Sequence, residues 1–265
     1  MKMNRFLKHK KIIITGASSG IGERLSWHIA KNGGIPIMVA RSYEKLRQNQ
    51  VNIQQAFHIH APIYISDLCS EEGQAVFKEI IQQETSIDGL LNNAGFGLFE
   101  SILDADMVDI RNMYELNVFA VMQAVQTVLP HLLHNQAGHI VNIVSQAGKL
   151  ATPKSSGYAS SKHAILGYTN VLRQEVSPLG IHVTAVNLGP VATNFFTKAD
   201  PNGTYVENVQ KYMLDANDVA EKVVATLFHR KREINMPWWM EIGSKLYQIA
   251  PTLMETVLKR QFNKK

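Results

Sequence analysis

The chain has 265 residues, 27 Lys and Arg against 22 Asp and Glu for a formal net charge of +5, 45% hydrophobic residues and a single cysteine. That apolar fraction over this length excludes disordered and collagen-like classes and fits one α/β domain with a full core. Cys69 cannot close an intrachain disulfide and no cysteine pair exists for a structural zinc, which fits a reducing, cytoplasmic setting.

From Met1 to Gly16 the chain is basic and then apolar only over Ile12, Ile13 and Ile14. This is short of the roughly 7–15 apolar residues of a signal peptide. No window reaches the ~18 consecutive apolar residues of a spanning helix, so the chain is not expected to be integral to a membrane. Strand-length apolar runs then alternate with amphipathic stretches of helix length, the pattern of a parallel sheet covered on both faces. Strands are expected at 11–15, 35–40, 62–66, 88–92, 138–144, 181–187 and 233–236, and helices at 20–32, 43–56, 70–84, 105–134, 157–177 and 216–230. The expected fold class is α/β, a Rossmann-like, doubly wound parallel sheet of about seven strands formed as a single domain over 1–265. Residues 193–215, polar with Gly and Asn, read as a substrate loop, and 237–265 as an aromatic, Met-rich, amphipathic extension broken by Pro251.

Thr15-Gly16-Ala17-Ser18-Ser19-Gly20-Ile21-Gly22 follows the first strand and opens the first helix. Glycines in such a turn permit a tight bend, close approach of backbone to a pyrophosphate and close helix packing, while the helix N-terminus offers N–H groups to an anion. The alternative is a merely structural turn. The second strand ends Val39-Ala40-Arg41-Ser42, where an acidic residue would select NAD. The Arg41 guanidinium and Ser42 hydroxyl suit a 2′-phosphate instead and predict NADP(H), the alternative being a solvated arginine at a helix start.

Tyr158 and Lys162 lie one helical turn apart on one face. Holding a phenol of pKa about 10 as phenolate near neutral pH needs about three units, or roughly 4 kcal/mol, of differential stabilisation. A Lys ammonium at i+4, with a positive nicotinamide ring, acts in that direction. Ser145 ends the fifth strand at the carboxyl edge, where a hydroxyl can donate to a carbonyl oxygen. Asn117 falls inside a long helix, an awkward place for a side chain that competes with the backbone unless it has a packing or functional role.

Taken in order, Thr-Gly-x3-Gly-x-Gly at 15–22, Asp67-Leu68, Asn92-Asn93-Ala94-Gly95, Asn117, Ser145 and Tyr-x3-Lys at 158–162 resemble the short-chain dehydrogenase/reductase family over residues 11 to about 193. The resemblance implies a tetrad of Asn117, Ser145, Tyr158 and Lys162. In it Tyr158 is the general acid/base, Ser145 polarises the carbonyl, Lys162 binds the nicotinamide ribose and lowers the tyrosine pKa, and Asn117 holds a relay water. It also implies cofactor contacts from Gly16, Ser18, Ser19, Gly20, Ile21 and Gly22, from Asp67 and Leu68 to the adenine, and from Asn93, Ala94 and Gly95 to the adenosine ribose. Gly189 is a further implied cofactor residue and Val191 with Thr193 would lie by the carboxamide, although the Pro-Gly usual in the family after the sixth strand is replaced here by Leu188-Gly189-Pro190. The implied activity is hydride transfer between NADP(H) and a carbonyl/alcohol substrate, and the implied assembly a homo-oligomer, dimer or tetramer, built on helices 105–134 and 157–177. A non-catalytic NADP-binding regulatory protein of the same fold is the alternative.

His131 with His134, and His58 with His60, lack the companions of a metal site, so none is expected. Asn202-Gly203-Thr204 reads as a turn. Met213, Met236, Trp238, Trp239, Met240, Tyr247 and Met254 read as core first, with an apolar substrate mouth as the alternative. The positive charge is concentrated at the ends: residues 1–11 carry five Lys or Arg and residues 259–265 four, with no acid in either, leaving −4 over 12–258. A uniformly basic nucleic-acid surface is therefore not expected. A basic tail after an amphipathic stretch suits weak peripheral contact with anionic lipid, the alternative being solvated termini.

Overall fold

Ile12 and Ile14 of the first strand enter one hydrophobic cluster and Ile13 enters another, so a period-2 side-chain alternation buries both faces of the strand. The computed structural model describes residues 4–84 and 86–257. The chain runs β1 (Lys11–Thr15), α1 (Gly20–Lys31), β2 (Ile35–Ala40), α2 (Tyr43–Phe57), β3 (Ile63–Ile65), α3 (Glu71–Gln74), α4 (Val76–Gln83), β4 (Gly89–Asn92) and α5 (Met107–Tyr114). A π-helical turn (Glu115–Phe119) then leads into α6 (Ala120–His134), β5 (Gly138–Ile143), α7 (Ser156–Val176), β6 (Ile181–Leu188), α8 (Phe195–Ala199) and α9 (Thr204–Val209). Last come α10 (Ala216–Thr226), β7 (Glu233–Met236), α11 (Trp238–Ile249) and α12 (Pro251–Val257). The basic tail 259–265 and Met1 to Met3 lie outside the described residues.

All seven strands are parallel in the order β3-β2-β1-β4-β5-β6-β7. Met38, Leu91, Val141 and Val186 continue the Ile12 face, covered by Leu25 and Ile29 of α1 and by Val219, Val223 and Leu227 in and after α10. Ile37, Val39, Leu90, Ile140 and Val183 continue the Ile13 face, beneath Phe77 and Ile80 of α4, Ala124 and Val128 of α6, and Leu172 and Val176 of α7. The order reverses between β1 and β4, and the crevice at the carboxyl ends of these two strands is where ligands bind in such sheets.

Several expected elements are altered by particular contacts. The helix at 70–84 is two pieces, because the Ser70 hydroxyl caps Gly73 N–H and Gly73 packs so tightly on Asp67 that a Cβ would lie 1.7 Å from its carbonyl oxygen. The helix at 105–134 carries the π turn in its middle. Residues 193–215, expected as a loop, contain α8 and α9. By length and composition the helical run Met107–His134 is apolar enough to cross a membrane, with an 18-residue window of mean hydropathy 1.4, yet its Ala120, Ala124, Val125, Val128 and Leu132 are spent on the core.

His139 of β5 is fully buried; its Nδ1 accepts the Phe228 N–H at 2.9 Å, which puts the ring proton on Nε2, 2.9 Å from Thr184 Oγ1. Burial, reinforced by His182 and His229, pushes its pKa down to about 3. The unfolded chain binds this proton near pH 6.5 and the folded chain does not, so stability is complete above that pH. It falls by about 1.4 kcal/mol per unit on acidification toward pH 3. Urea unfolding compared between wild type and His139→Asn, from neutral to acidic pH, should show a shallower acid dependence in the variant; parallel curves would rule the histidine out.

Candidate active site

The turn after β1 is stitched to the end of β4. Thr15 Oγ1 accepts the N–H groups of both Asn93 and Ala94 at 3.0 Å, and Asn93 Nδ2 donates to the carbonyls of Thr15 (3.0 Å) and Gly16 (3.3 Å). Gly16 has φ +66°, and a Cβ on Gly22 would lie 2.2 Å from the Gly16 carbonyl oxygen, so the helix can approach the turn only without side chains there. Ser19 stands at the N-cap of α1 with no capping bond from its side chain, and the first-turn N–H groups keep the positive end of the helix directed outward. Ser18, Gly20 and Ile21 complete the turn. This donor-rich cradle, which side chains would fill, fits a dinucleotide phosphate.

The remaining expected residues lie along the same sheet edge. Arg41 is exposed after β2, and Ser42 is the N-cap of α2, again without a side-chain cap bond. Asp67 and Leu68 follow β3, with Asp67 Oδ1 accepting the Cys69 N–H at 3.1 Å and Leu68 buried. Gly189, Val191 and Thr193 follow β6; Gly189 N–H donates to Met236 O at 2.7 Å, and Val191 bridges to Leu214. The Asn93 side chain, expected at a ribose, is occupied with the glycine turn.

Asn117 sits in the π turn, which resolves its awkward position in a helix: the widened turn aims its amide across to the strand end. Its Oδ1 accepts Phe96 N–H at 3.1 Å, and its Nδ2 donates to Phe96 O at 2.9 Å and Ser161 Oγ at 3.1 Å. Ser145 accepts the Ala147 N–H at 3.0 Å, and its one hydroxyl proton can turn to Leu188 O at 3.2 Å or to the Tyr158 phenol. Lys162 is buried, donates from Nζ to Ile143 O at 3.0 Å and lies 5.9 Å from the Tyr158 ring centroid. Burial pushes its pKa down to about 8. The Tyr158 pKa moves opposite to the expected direction: burial raises it, and what opposes burial is the Ser145 hydrogen bond rather than the Lys162 ammonium. The reason is geometric, since the lysine nitrogen is turned to a backbone carbonyl and the phenol is enclosed by Phe99 and Phe195.

Ser145, Tyr158 and Lys162 meet Ile21, Asn93, Gly95, Gly189, Val191 and Thr193 on the wall of one cavity of about 680 Å³. Arg41, Ser42, Asp67, Leu68, Asn117 and the other turn residues are not on its wall. The far wall is apolar and aromatic, with Phe99, Phe195, Phe196, Tyr205, Trp239 and Met254 among its residues. Trp239, Met240 and Met254, read first as core, therefore line this cavity. Burial of Tyr205, with Tyr158 and Asp200 nearby, pushes its phenol up to about 12. The sequence reading missed Phe99, Phe195, Phe196 and Tyr205, and the only available signal was the Phe195-Phe196 pair inside the expected loop.

The α11 side of the wall is anchored by Lys149, just beyond Ser145. Its buried ammonium donates to Glu233 at 2.5 Å, to Asn235 at 3.1 Å and to Glu241 of α11. Burial pushes the Glu233 carboxyl up, but Lys149, Asn235 and Arg232 outweigh it and leave the group below the usual carboxylate range.

A model of the family described as short chain dehydrogenase matches residues 10–203. "Dehydrogenase/reductase SDR family member 7B" of Xenopus laevis is 28% identical over 277 residues, covering 100% of this chain and 85% of that protein. "Dehydrogenase/reductase SDR family member 7" of Homo sapiens is 34% identical over 188 residues, 68% of this chain and 55% of that one. Among solved structures, a short-chain dehydrogenase from Sphingobium yanoikuyae in complex with NADPH superposes with TM-score 0.82 at 23% identity, covering 93% of this chain and 95% of that one. A short chain dehydrogenase/reductase from Burkholderia phymatum in complex with NAD gives 0.83 at 21%, covering 96% of each chain.

Removing the cation from the Lys149 cluster strands two acids in a largely desolvated pocket. Lys149→Met should cost about 3 kcal/mol in urea unfolding, partly recovered when Glu233→Gln and Glu241→Gln are added. No loss in the single variant would remove the anchoring role.

Proposed function

The chain belongs to the short-chain dehydrogenase family, and on that footing we propose that it is an NADP-dependent oxidoreductase that interconverts a carbonyl and an alcohol on an apolar substrate, with Tyr158 as general acid/base. The observation that carries the reading is the convergence of Ser145, Tyr158 and Lys162 on one cavity whose far wall is aromatic and apolar. The NADPH and NAD complexes of the Sphingobium and Burkholderia proteins support a nicotinamide cofactor. The preference for NADP rests on Arg41 and Ser42, whose donors stand where a 2′-phosphate would be read. When bound, the dinucleotide supplies or accepts the hydride.

The residues of the chain supply the rest. The turn at 16–22 binds phosphate through backbone N–H groups. Ser145 donates its hydroxyl proton to the substrate oxygen, a direction it can take by leaving Leu188 O. Tyr158, kept protonated by burial, gives its phenolic proton to that oxygen during reduction and receives it during oxidation. Lys162, with its ammonium near the phenol, stabilises the phenolate that proton donation leaves. Asn117 holds the backbone at Phe96 and the hydroxyl of Ser161, fixing the helix that carries Tyr158 and Lys162. The aromatic wall excludes water and favours a hydrophobic carbonyl compound over a sugar. The assembly we propose is a homo-oligomer through the long helices, where Phe119 of the π turn and Val171 of α7 are exposed.

Tyr158→Phe should leave NADPH binding nearly intact while turnover of a ketone or aldehyde falls by about two to four orders of magnitude. Substantial residual turnover would refute proton donation by Tyr158. Arg41→Ala should raise the KM for NADPH by about tenfold or more, the worth of a charged hydrogen bond, and leave that for NADH little changed. Wild-type enzyme preferring NADH would overturn the assignment of NADP.

A further inference from the structure

Seven of the eighteen large hydrophobic residues left exposed among the described residues fall within 238–257. They are not scattered. Trp238, Ile242, Leu246 and Ile249 follow one another on one face of α11, and Leu253 and Val257 are exposed on α12. The cavity-lining residues of α11, Met240, Gly243 and Ser244, lie on its other side, and Glu241 is turned inward to Lys149. Helix α11 thus has two apolar faces, one toward the cavity and one toward solvent. Between them Trp239, which both lines the cavity and is half-exposed, packs edge-on against Tyr212, which does the same from the other bank; the two mark the rim.

We propose that this outer face docks on an anionic membrane surface, with the cavity rim brought to the lipid interface; the claim that the cavity then receives an apolar substrate from the bilayer rests on the function proposed above. Charge selects this occupant. Lys245 is exposed on the outer face, where its ammonium pairs with Glu241 at 3.3 Å. Lys259, Arg260, Lys264 and Lys265 follow α12 in the sequence with no acid among them. The rest of the chain between the two basic ends is net negative, so the tail that follows the apolar helices in sequence is one of the two places where cationic charge collects. A second copy seated there through a two-fold axis would bring two such cationic segments toward each other, whereas phosphatidylserine headgroups would neutralise them. A Trp at one end of the stripe suits the headgroup boundary, and an apolar helix face with adjacent basic residues is the pattern of helices that lie in that plane.

The test is flotation of the full chain with phosphatidylcholine vesicles with and without phosphatidylserine. Wild type should float with the serine-containing vesicles and be released by salt. A Trp238→Glu, Ile242→Glu, Ile249→Glu variant should lose about tenfold or more in vesicle affinity, because three inserted side chains are replaced by charges. Changing Lys259, Arg260, Lys264 and Lys265 to Gln should weaken binding and remove its salt dependence. Both variants should keep wild-type melting and wild-type turnover of a water-soluble ketone, which separates loss of docking from failure of the proposed chemistry. Wild type that stays in solution, a stripe variant that floats as well as wild type, or a stripe variant that changes only the sedimentation coefficient would each overturn the proposal, the last by assigning the face to self-association.

Discussion

A single acceptor, the buried hydroxyl of Thr15, takes two backbone N–H groups from the end of the neighbouring strand, and the geometry of the site follows from it. With Asn93 and Ala94 fixed there, Gly95 and Phe96 emerge at a defined place. Asn117 reads Phe96 through both its backbone groups and passes the connection to Ser161, whose hydroxyl donates in turn to the carbonyl of Tyr158. One run of hydrogen bonds therefore links the phosphate turn to the helix that bears Tyr158 and Lys162. A buried N–H left without a partner costs about 1–3 kcal/mol, so such a run acts as a set of linked constraints that move together or not at all.

The site at the end of this run is buried and sparing with charge. Lys162 has a carbonyl and not a carboxylate as its partner, and burial pushes lysine and tyrosine in opposite directions, both toward their neutral forms. Neither group is neutralised in advance by a counter-ion. Within the same cavity an aromatic wall faces a polar side that carries Ser145, Tyr158 and Lys162.

The parts of the molecule governed by local rules were legible in the sequence. The isoleucine triplet of β1, the glycines of the turn and the apolar runs that follow announce a doubly covered parallel sheet, because a buried strand and a tight phosphate turn each demand particular side chains at fixed spacing. What could not be read depends on contacts between distant segments. The π turn around Asn117 is defined by a partner at Phe96, 21 residues away. The shift of Tyr158 reflects how many aromatic rings close over it, which no i+4 spacing encodes. Trp239, Met240 and Met254 carry the same hydrophobic signal whether they fill a core or line a cavity, and only their place relative to the sheet edge separates the two.

Lys149 carries a consequence that concerns how the protein is made. Its acidic partners lie 84 and 92 residues further along the chain, on β7 and α11. A ribosome adding about 5–20 residues per second needs roughly 4–20 s to deliver them. Throughout that interval the nascent chain holds an unpaired cation, and from the completion of β6 until β7 is made it also holds the open edge of β6. The cavity wall is thus finished last, and the segment that finishes it also pairs the open edge of β6.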